Sequence, residues 1–443
     1  MKTSYFFFKK IILLMILLVI GNGLYAQVVS KPRDIAVFSL SYYDSTIPFV
    51  LVEEIDARVL STAHNFKRLR VIGVDKRLMY NDLNAFYRAI QESREVNTII
   101  PEEVSMGHVA FTRADWNKAV NAYYILTSTV EDYDIQTKSI EQRDGTVLTE
   151  YEVEVSVLFT VYSVQQKQKQ AEFVLTAKAK NKKINEAFRQ LARMVGVRLE
   201  GQLRNVDDFK INTGVIATEN PRVYFELGDT IGIYKGDEYA VIGYDSRNNP
   251  VETGLIVVVD TQRDFSTALT LYADPDVVVG DQLREIPHLP MEFRTYGDVE
   301  FGTAYYSTES ATVLPMITGG LHVSWTRGVY RVRPSFAFEI NGFLGDYPVF
   351  SGLVGAEIMN TYIGRWQILP TLHFFYTIAA SKEKDVAPTT LELGGKLITH
   401  ISWLFARDFK IGLDVGIKSG YTTNPQMPFM LRGVLGLGLT VKL

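Results

Sequence analysis

Two His-x-Ser pairs, His322-Val323-Ser324 and His400-Ile401-Ser402, have the spacing that suits nucleophilic catalysis. A histidine can take the proton of a serine hydroxyl when a carboxylate holds the imidazole in the right tautomer. On a strand, residues two apart share a face, so each pair would point the same way. Other catalytic signatures are absent: there is no G-x-S-x-G, Walker A loop, H-E-x-x-H, or G-x-G-x-x-G after a strand. The chain has no Cys, which excludes a disulfide framework, a thiolate zinc site, a cysteine nucleophile and a lipidated N-terminal cysteine. Net charge is −4 with 6 His, so nothing in the balance points to nucleic acid. The pairs Gly236-Asp237 and Gly280-Asp281 lack calcium-loop spacing. They read as tight turns, with Gly supplying a positive φ and Asp capping. No cofactor, metal site or enzymatic activity is therefore expected.

The elements that carry both His-x-Ser pairs alternate with period two. From about Leu289, aromatic and aliphatic residues fall on one face, and Gly, Ser, Thr, Ala and single charges on the other. Strands are predicted at Arg294–Tyr306, Val313–Trp325, Val332–Ile340, Val349–Met359, Trp366–Ile378, Leu391–Trp403, Phe409–Ile417 and Phe429–Leu443. Eight is an even number, as a single-chain outer-membrane barrel requires. The polar face then forms a narrow lumen holding Arg294, Asp298, Glu300, Arg333, Glu339, Glu357, Glu392, Lys396, Lys410, Asp414, Lys418 and Arg432, with Lys442 near the end. These charges nearly balance, so the lumen is expected to pair them and close. In this register both His-x-Ser pairs face inward and serve as polar filling. Trp325, Trp366 and Trp403 sit at strand ends beside short turns, and are expected to form one interfacial aromatic girdle. The intervening connections are longer and more polar. A soluble sandwich is the alternative fold, and a narrow pore the alternative role.

Upstream, residues 1–26 read as a signal peptide: Lys2, Lys9 and Lys10, then the aliphatic run Ile11–Ile20, then small residues to Ala26. No later segment is apolar enough for a membrane helix. Residues 27–206 read as an α+β domain with helices mainly on one face. Its elements are a strand at Asp34–Leu40, a helix at Val50–Ala63, a strand at Leu69–Val74, a helix at Lys76–Glu95, a helix at Arg113–Val120 capped by Thr112, a strand at Asn121–Val130, a hairpin of Tyr151–Val164 with Ala171–Ala179, and a helix at Lys183–Leu203. Residues 207–288 read as a small all-β module of short runs separated by turn signals. The fold class is thus multidomain: an α+β periplasmic domain, a small β module and a C-terminal eight-stranded antiparallel transmembrane barrel at 289–443.

These features carry resemblances. The C-terminal segment resembles small outer-membrane barrels of the OmpA-like and OmpX-like size class. Its ending, Gly436–Leu443, resembles the signal read by the barrel assembly machinery, with Leu443 where an aromatic residue is usual. Asp34–Phe38, Ala122–Val130 and the closing helix resemble the periplasmic domain of the curli secretion component CsgG, the N-terminal domain of TolB and LpoB-like activators. The stretch Leu227–Asp237, with Gly280-Asp281, resembles the C-terminal domain of the flagellar assembly protein T. Outer-membrane lipid A deacylases also pair a His and a Ser two apart on a strand of an eight-stranded barrel. The resemblances imply a bacterial outer-membrane anchor with N-terminal domains in the periplasm. The implied partners are outer-membrane lipid, the barrel assembly machinery and a periplasmic protein served in envelope or surface-appendage assembly or secretion. A lipid-acting barrel enzyme is the alternative.

Overall fold

The computed structural model describes residues 29–73, 77–94, 101–120, 122–141, 147–247, 249–305, 312–341, 349–379, 390–423 and 429–443. The expected leader, 1–26, and most of the longer polar connections of the C-terminal segment lie outside the described residues.

The N-terminal sheet runs in the order Leu69–Ile72, Arg33–Val37, Tyr124–Glu141, Val147–Ser163, Gln168–Asn181. Its first three strands are parallel and the others antiparallel. Arg33–Val37 is apolar on both faces, the pattern of a strand covered on both sides. Ile35 and Val37 join the core beneath the helices Phe49–Asn65 and Ile184–Asn205. Ala36 and Phe38 join a second core under Leu83–Arg94, Arg113–Val120 and the hairpin Glu103–Met106 with Val109–Thr112. Helices thus cover both faces, where the sequence predicts mainly one. Thr112 does cap Arg113–Val120, with the Asp115 backbone N–H donating to Thr112 Oγ1 at 3.2 Å.

Two other boundaries differ. The helix expected from Lys76 begins at Leu83, after a 3₁₀ turn at Tyr80–Asp82. The strand expected to stop at Val130 continues to Glu141, paired with Val147–Ser163. From Gln136 to Ser139 both faces of the strand are exposed, so apolar periodicity could not mark it.

The middle segment is a closed six-stranded barrel: Asn212–Glu219, Arg222–Glu226, Glu238–Tyr244, Pro250–Thr261, Phe265–Ala273 and Gln282–Ile286. Its two Gly-Asp turns follow turn chemistry. Gly236 has φ 88° and Gly280 φ 99°. Asp237 accepts from the Tyr234 backbone N–H at 2.9 Å, and Asp281 from that of Val278 at 2.9 Å.

The C-terminal strands are Met291–Tyr305, Thr312–Trp325, Val332–Asn341, Val349–Ile358, Trp366–Ala379, Thr390–Ala406, Phe409–Thr422 and Phe429–Lys442. Each pairs antiparallel with its neighbour. The last pairs with the first from Glu292↔Lys442 to Tyr305↔Phe429, which closes an eight-stranded barrel. The fourth strand breaks at Met359, φ 54°, and resumes as Thr361–Ile363.

Candidate functional site: a filled lumen and the joint beneath it

Alternation along each C-terminal strand separates two environments. In Phe409–Thr422, Ile411 and Ile417 are 51% and 52% exposed, while their neighbours Lys410 and Lys418 are each 1% exposed. Strand period places one set outside the barrel and the other inside. All twelve residues expected in the lumen, Arg294 to Arg432, are buried.

They form three ionic clusters, the largest centred on Glu339. Lys396 Nζ donates to Asp298 at 3.0 Å and also to Glu339. Lys418 Nζ lies 2.9 Å from Glu339 and 3.3 Å from Glu300. Arg432 bridges Glu300 at 3.3 Å and Glu392 at 2.8 Å. Arg333 binds Glu357 at 2.8 Å and Glu292 at 3.0 Å, and Lys410 reaches Glu292 at 2.9 Å. Arg294 pairs with Asp414. Each base has an acid within contact, as buried charge requires.

Sequence reasoning missed three members of this interior. Glu292 lies before the predicted strand start, yet anchors two bases. Tyr296 points inward and donates its hydroxyl proton to Glu339 at 2.9 Å. Phe375, 3% exposed, packs inside against Ala337 and Leu353, with Lys418 over its ring at 4.9 Å. Large aromatics therefore do not all face outward; strict period two at Phe374-Phe375 was the available signal. Lys442 leaves the lumen and donates to Glu238 of the middle barrel at 2.6 Å.

Both His-x-Ser pairs are enclosed. Ser324 Oγ accepts from Arg333 at 2.9 Å, and Ser402 Oγ from Arg294 at 3.4 Å. His400 Nδ1 lies 2.7 Å from Asp414, and the His322 ring packs between those of His373 and His400, at 5.4 and 5.7 Å. The space left among these groups is about 10 Å³, room for about one water.

Trp325, Trp366 and Trp403 are exposed at the short-turn end of the barrel, where Trp366 and Trp403 are register partners. That end is docked. In the first short turn, Arg327 donates to Asp237 at 2.9 Å and stacks on Tyr234. In the second, Arg365 lies 3.8 Å over the Tyr272 ring. In the third, Arg407 donates to Glu252 at 3.2 Å. Leu404 is 1% exposed, in a cluster with Ala240, Leu255 and Leu271 of the middle barrel. Gly236 allows this approach: its Cβ would fall 2.1 Å from the Thr326 carbonyl oxygen. No side chain is tolerated there, quite apart from the positive φ.

The middle barrel also grips the N-terminal domain, and Asp237 serves both contacts, accepting from Arg204 at 3.2 Å as well as from Arg327. Glu285 accepts from Arg68 at 2.5 and 2.7 Å, from Arg204 at 2.6 Å and from the Ile211 backbone N–H at 3.1 Å. Burial pushes the Glu285 carboxyl up, but Arg68 and Arg204 overcome this and hold it down at about 2. For Glu238 burial again acts upward, and Lys442 with His288 brings it to about 2. A carboxylate depressed by folding stabilises above its unfolded value of 4.5, and that stabilisation is lost as pH falls towards about 2. Proteolysis of the detergent-purified chain at the two connections these carboxylates hold, 206–211 and 287–290, should therefore accelerate between those limits. A flat rate across that window would contradict the ionic joint.

No family model and no curated protein matches this chain. Among solved structures it is similar to Neisserial surface protein A, with 13% identity over 35% of this chain and 98% of that one, TM-score 0.27. It is similar to Ail, the attachment invasion locus protein of Yersinia pestis, with 10% identity over 35% and 100%, TM-score 0.26. It is also similar to a hypothetical protein from Chlamydia trachomatis, with 11% identity over 39% and 97%, TM-score 0.23.

Proposed function

We propose that this chain is a non-enzymatic bacterial outer-membrane protein whose closed C-terminal barrel anchors a protein-binding scaffold in the periplasm. The observation that carries this reading is the inverted distribution of the barrel: an apolar outer band around a lumen of paired charges. Water would leave that band uncompensated, whereas hydrocarbon suits it, and a barrel satisfies every backbone group without water. Docking of all three short turns on the middle barrel supports a periplasmic position for that barrel, because short turns face the periplasm in such proteins. The N-terminal domain follows it through the Glu285 joint. The resemblance of the first two segments to CsgG-like, TolB-like and flagellar assembly protein T-like domains is part of the same proposal, and envelope or surface-appendage assembly is the process it favours. The lipid-acting alternative gains no support from serines bonded to arginines inside the lumen.

The test is membrane fractionation followed by heat-modifiable gel migration of the full chain. A compact, faster band from the outer-membrane fraction is expected before boiling. Val415 lies on the outer face at mid-strand, 45% exposed. Val415→Arg should destabilise the compact form by ~2–4 kcal/mol, the cost of a cation at the bilayer midplane. A chain that stays monodisperse without detergent, or an unchanged Val415→Arg variant, would sink the anchor.

A further inference from the structure

At the end of the N-terminal domain far from the C-terminal barrel, Tyr42, Tyr43, Phe49, Val50 and Met79 are uncovered, Tyr43 at 78% and Phe49 at 64%. The fold draws them together. Tyr42 is the register partner of Val130. The Tyr80 backbone N–H, next to Met79, donates to the Ser41 hydroxyl at 3.4 Å. The helix Phe49–Asn65 opens directly after the turn that follows Tyr43. Apolar exposure on the C-terminal barrel has hydrocarbon to explain it. Here the domain's two cores are already closed without these residues, so the patch has the character of a contact surface.

The patch has an acidic rim. Glu53 shares a helix face with Phe49 and Val50, four and three residues before it. Glu131 and Asp132 follow Val130, and Asp44 follows Tyr43. All four are exposed, and none has an ion-pair partner among the described residues. Two neighbouring guanidiniums are committed elsewhere: Arg77 to Asp56 at 2.5 Å and Arg189 to Glu186 at 2.9 Å.

We propose that this patch docks a segment of another periplasmic protein that presents aliphatic or aromatic side chains flanked by lysine or arginine. The inference rests on the scaffold reading and names the surface and chemistry of its partner. The acidic rim disfavours a second copy, which would bring the same acids face to face, and disfavours anionic headgroups. Distance disfavours the membrane as well. Strand Arg33–Val37 starts at the joint, where the Arg33 backbone N–H donates to the Arg68 carbonyl. On the neighbouring strand, the partners of Ile35 and Tyr42 are Tyr124 and Val130, six residues and so about 20 Å apart at ~3.3 Å per residue.

The test places a photoreactive phenylalanine at position 43, 49 or 278 of the full chain in the cells that make it. Val278 is an exposed position on the middle barrel. Positions 43 and 49 should crosslink to one protein segment of net positive charge. Glu53→Lys with Asp132→Lys should reduce the product about fivefold. Salt at about 0.5 M should weaken it similarly in isolated envelopes. A crosslink to lipid, to a second copy, or to a segment without basic residues overturns the inference. So does a product indifferent to charge reversal. Products at 278 but none at 43 or 49 overturn it while leaving the scaffold standing; no product at any of the three sinks both.

Discussion

Replacing Glu285 by leucine is expected to destabilise the union of the N-terminal domain and the middle barrel by ~3–5 kcal/mol, the cost of removing one partner from a buried ionic cluster. The carboxylate is 2% exposed, and the two guanidiniums it serves, Arg68 and Arg204, are 3% and 4% exposed. Arg204 would keep Asp237 at 3.2 Å. Arg68 would keep the Phe209 carbonyl, at 3.1 Å, and the face of the Phe66 ring, but no carboxylate among its described partners. Glu285→Gln retains acceptor and donor atoms and should lose less. Pulse proteolysis of the detergent-purified chain across a urea series reads the difference. A midpoint shift for Glu285→Leu no larger than that of an exposed Glu219→Leu would show that the joint does not depend on this cluster.

Glu339→Leu should have a comparable effect inside the barrel. Glu339 is fully buried and accepts from Lys396, Lys418 and Tyr296. Without it two ammonium groups would share the remaining Asp298 and Glu300, and a phenol would lose its acceptor. A loss of ~3–5 kcal/mol is expected, read as a lower temperature for conversion of the compact gel band to the unfolded one. The same network predicts that the unaltered chain conducts nothing in planar bilayers, since salt bridges and Phe375 occupy the lumen. Sustained single-channel steps would overturn the closed-lumen reading, and an unshifted conversion temperature would remove Glu339 from the network's centre.

The barrel was legible because its signal is local. Period-two alternation over eight segments assigns a face to each residue without any long-range information. Lys396, Lys410 and Lys418 could therefore be placed inside before any contact was known. The placement of Trp325, Trp366 and Trp403 at strand ends beside short turns was equally local. What alternation cannot give is a partner. That Lys418 meets Glu339, 79 residues away, depends on which strands oppose each other across the lumen. That Lys442 leaves the lumen for Glu238 depends on where the middle barrel sits. The double-sided cover of Arg33–Val37 and the long polar hairpin beyond Val130 were hidden for a related reason. An apolar strand does not say how many helices cover it, and a solvated strand carries no apolar period. Strand count, inward and outward faces and the near-balance of lumen charge are local properties, readable along the chain. The ion pairs, the docking of the short turns and the Glu285 joint emerge with folding, because each brings together groups whose attraction acts through space between distant segments.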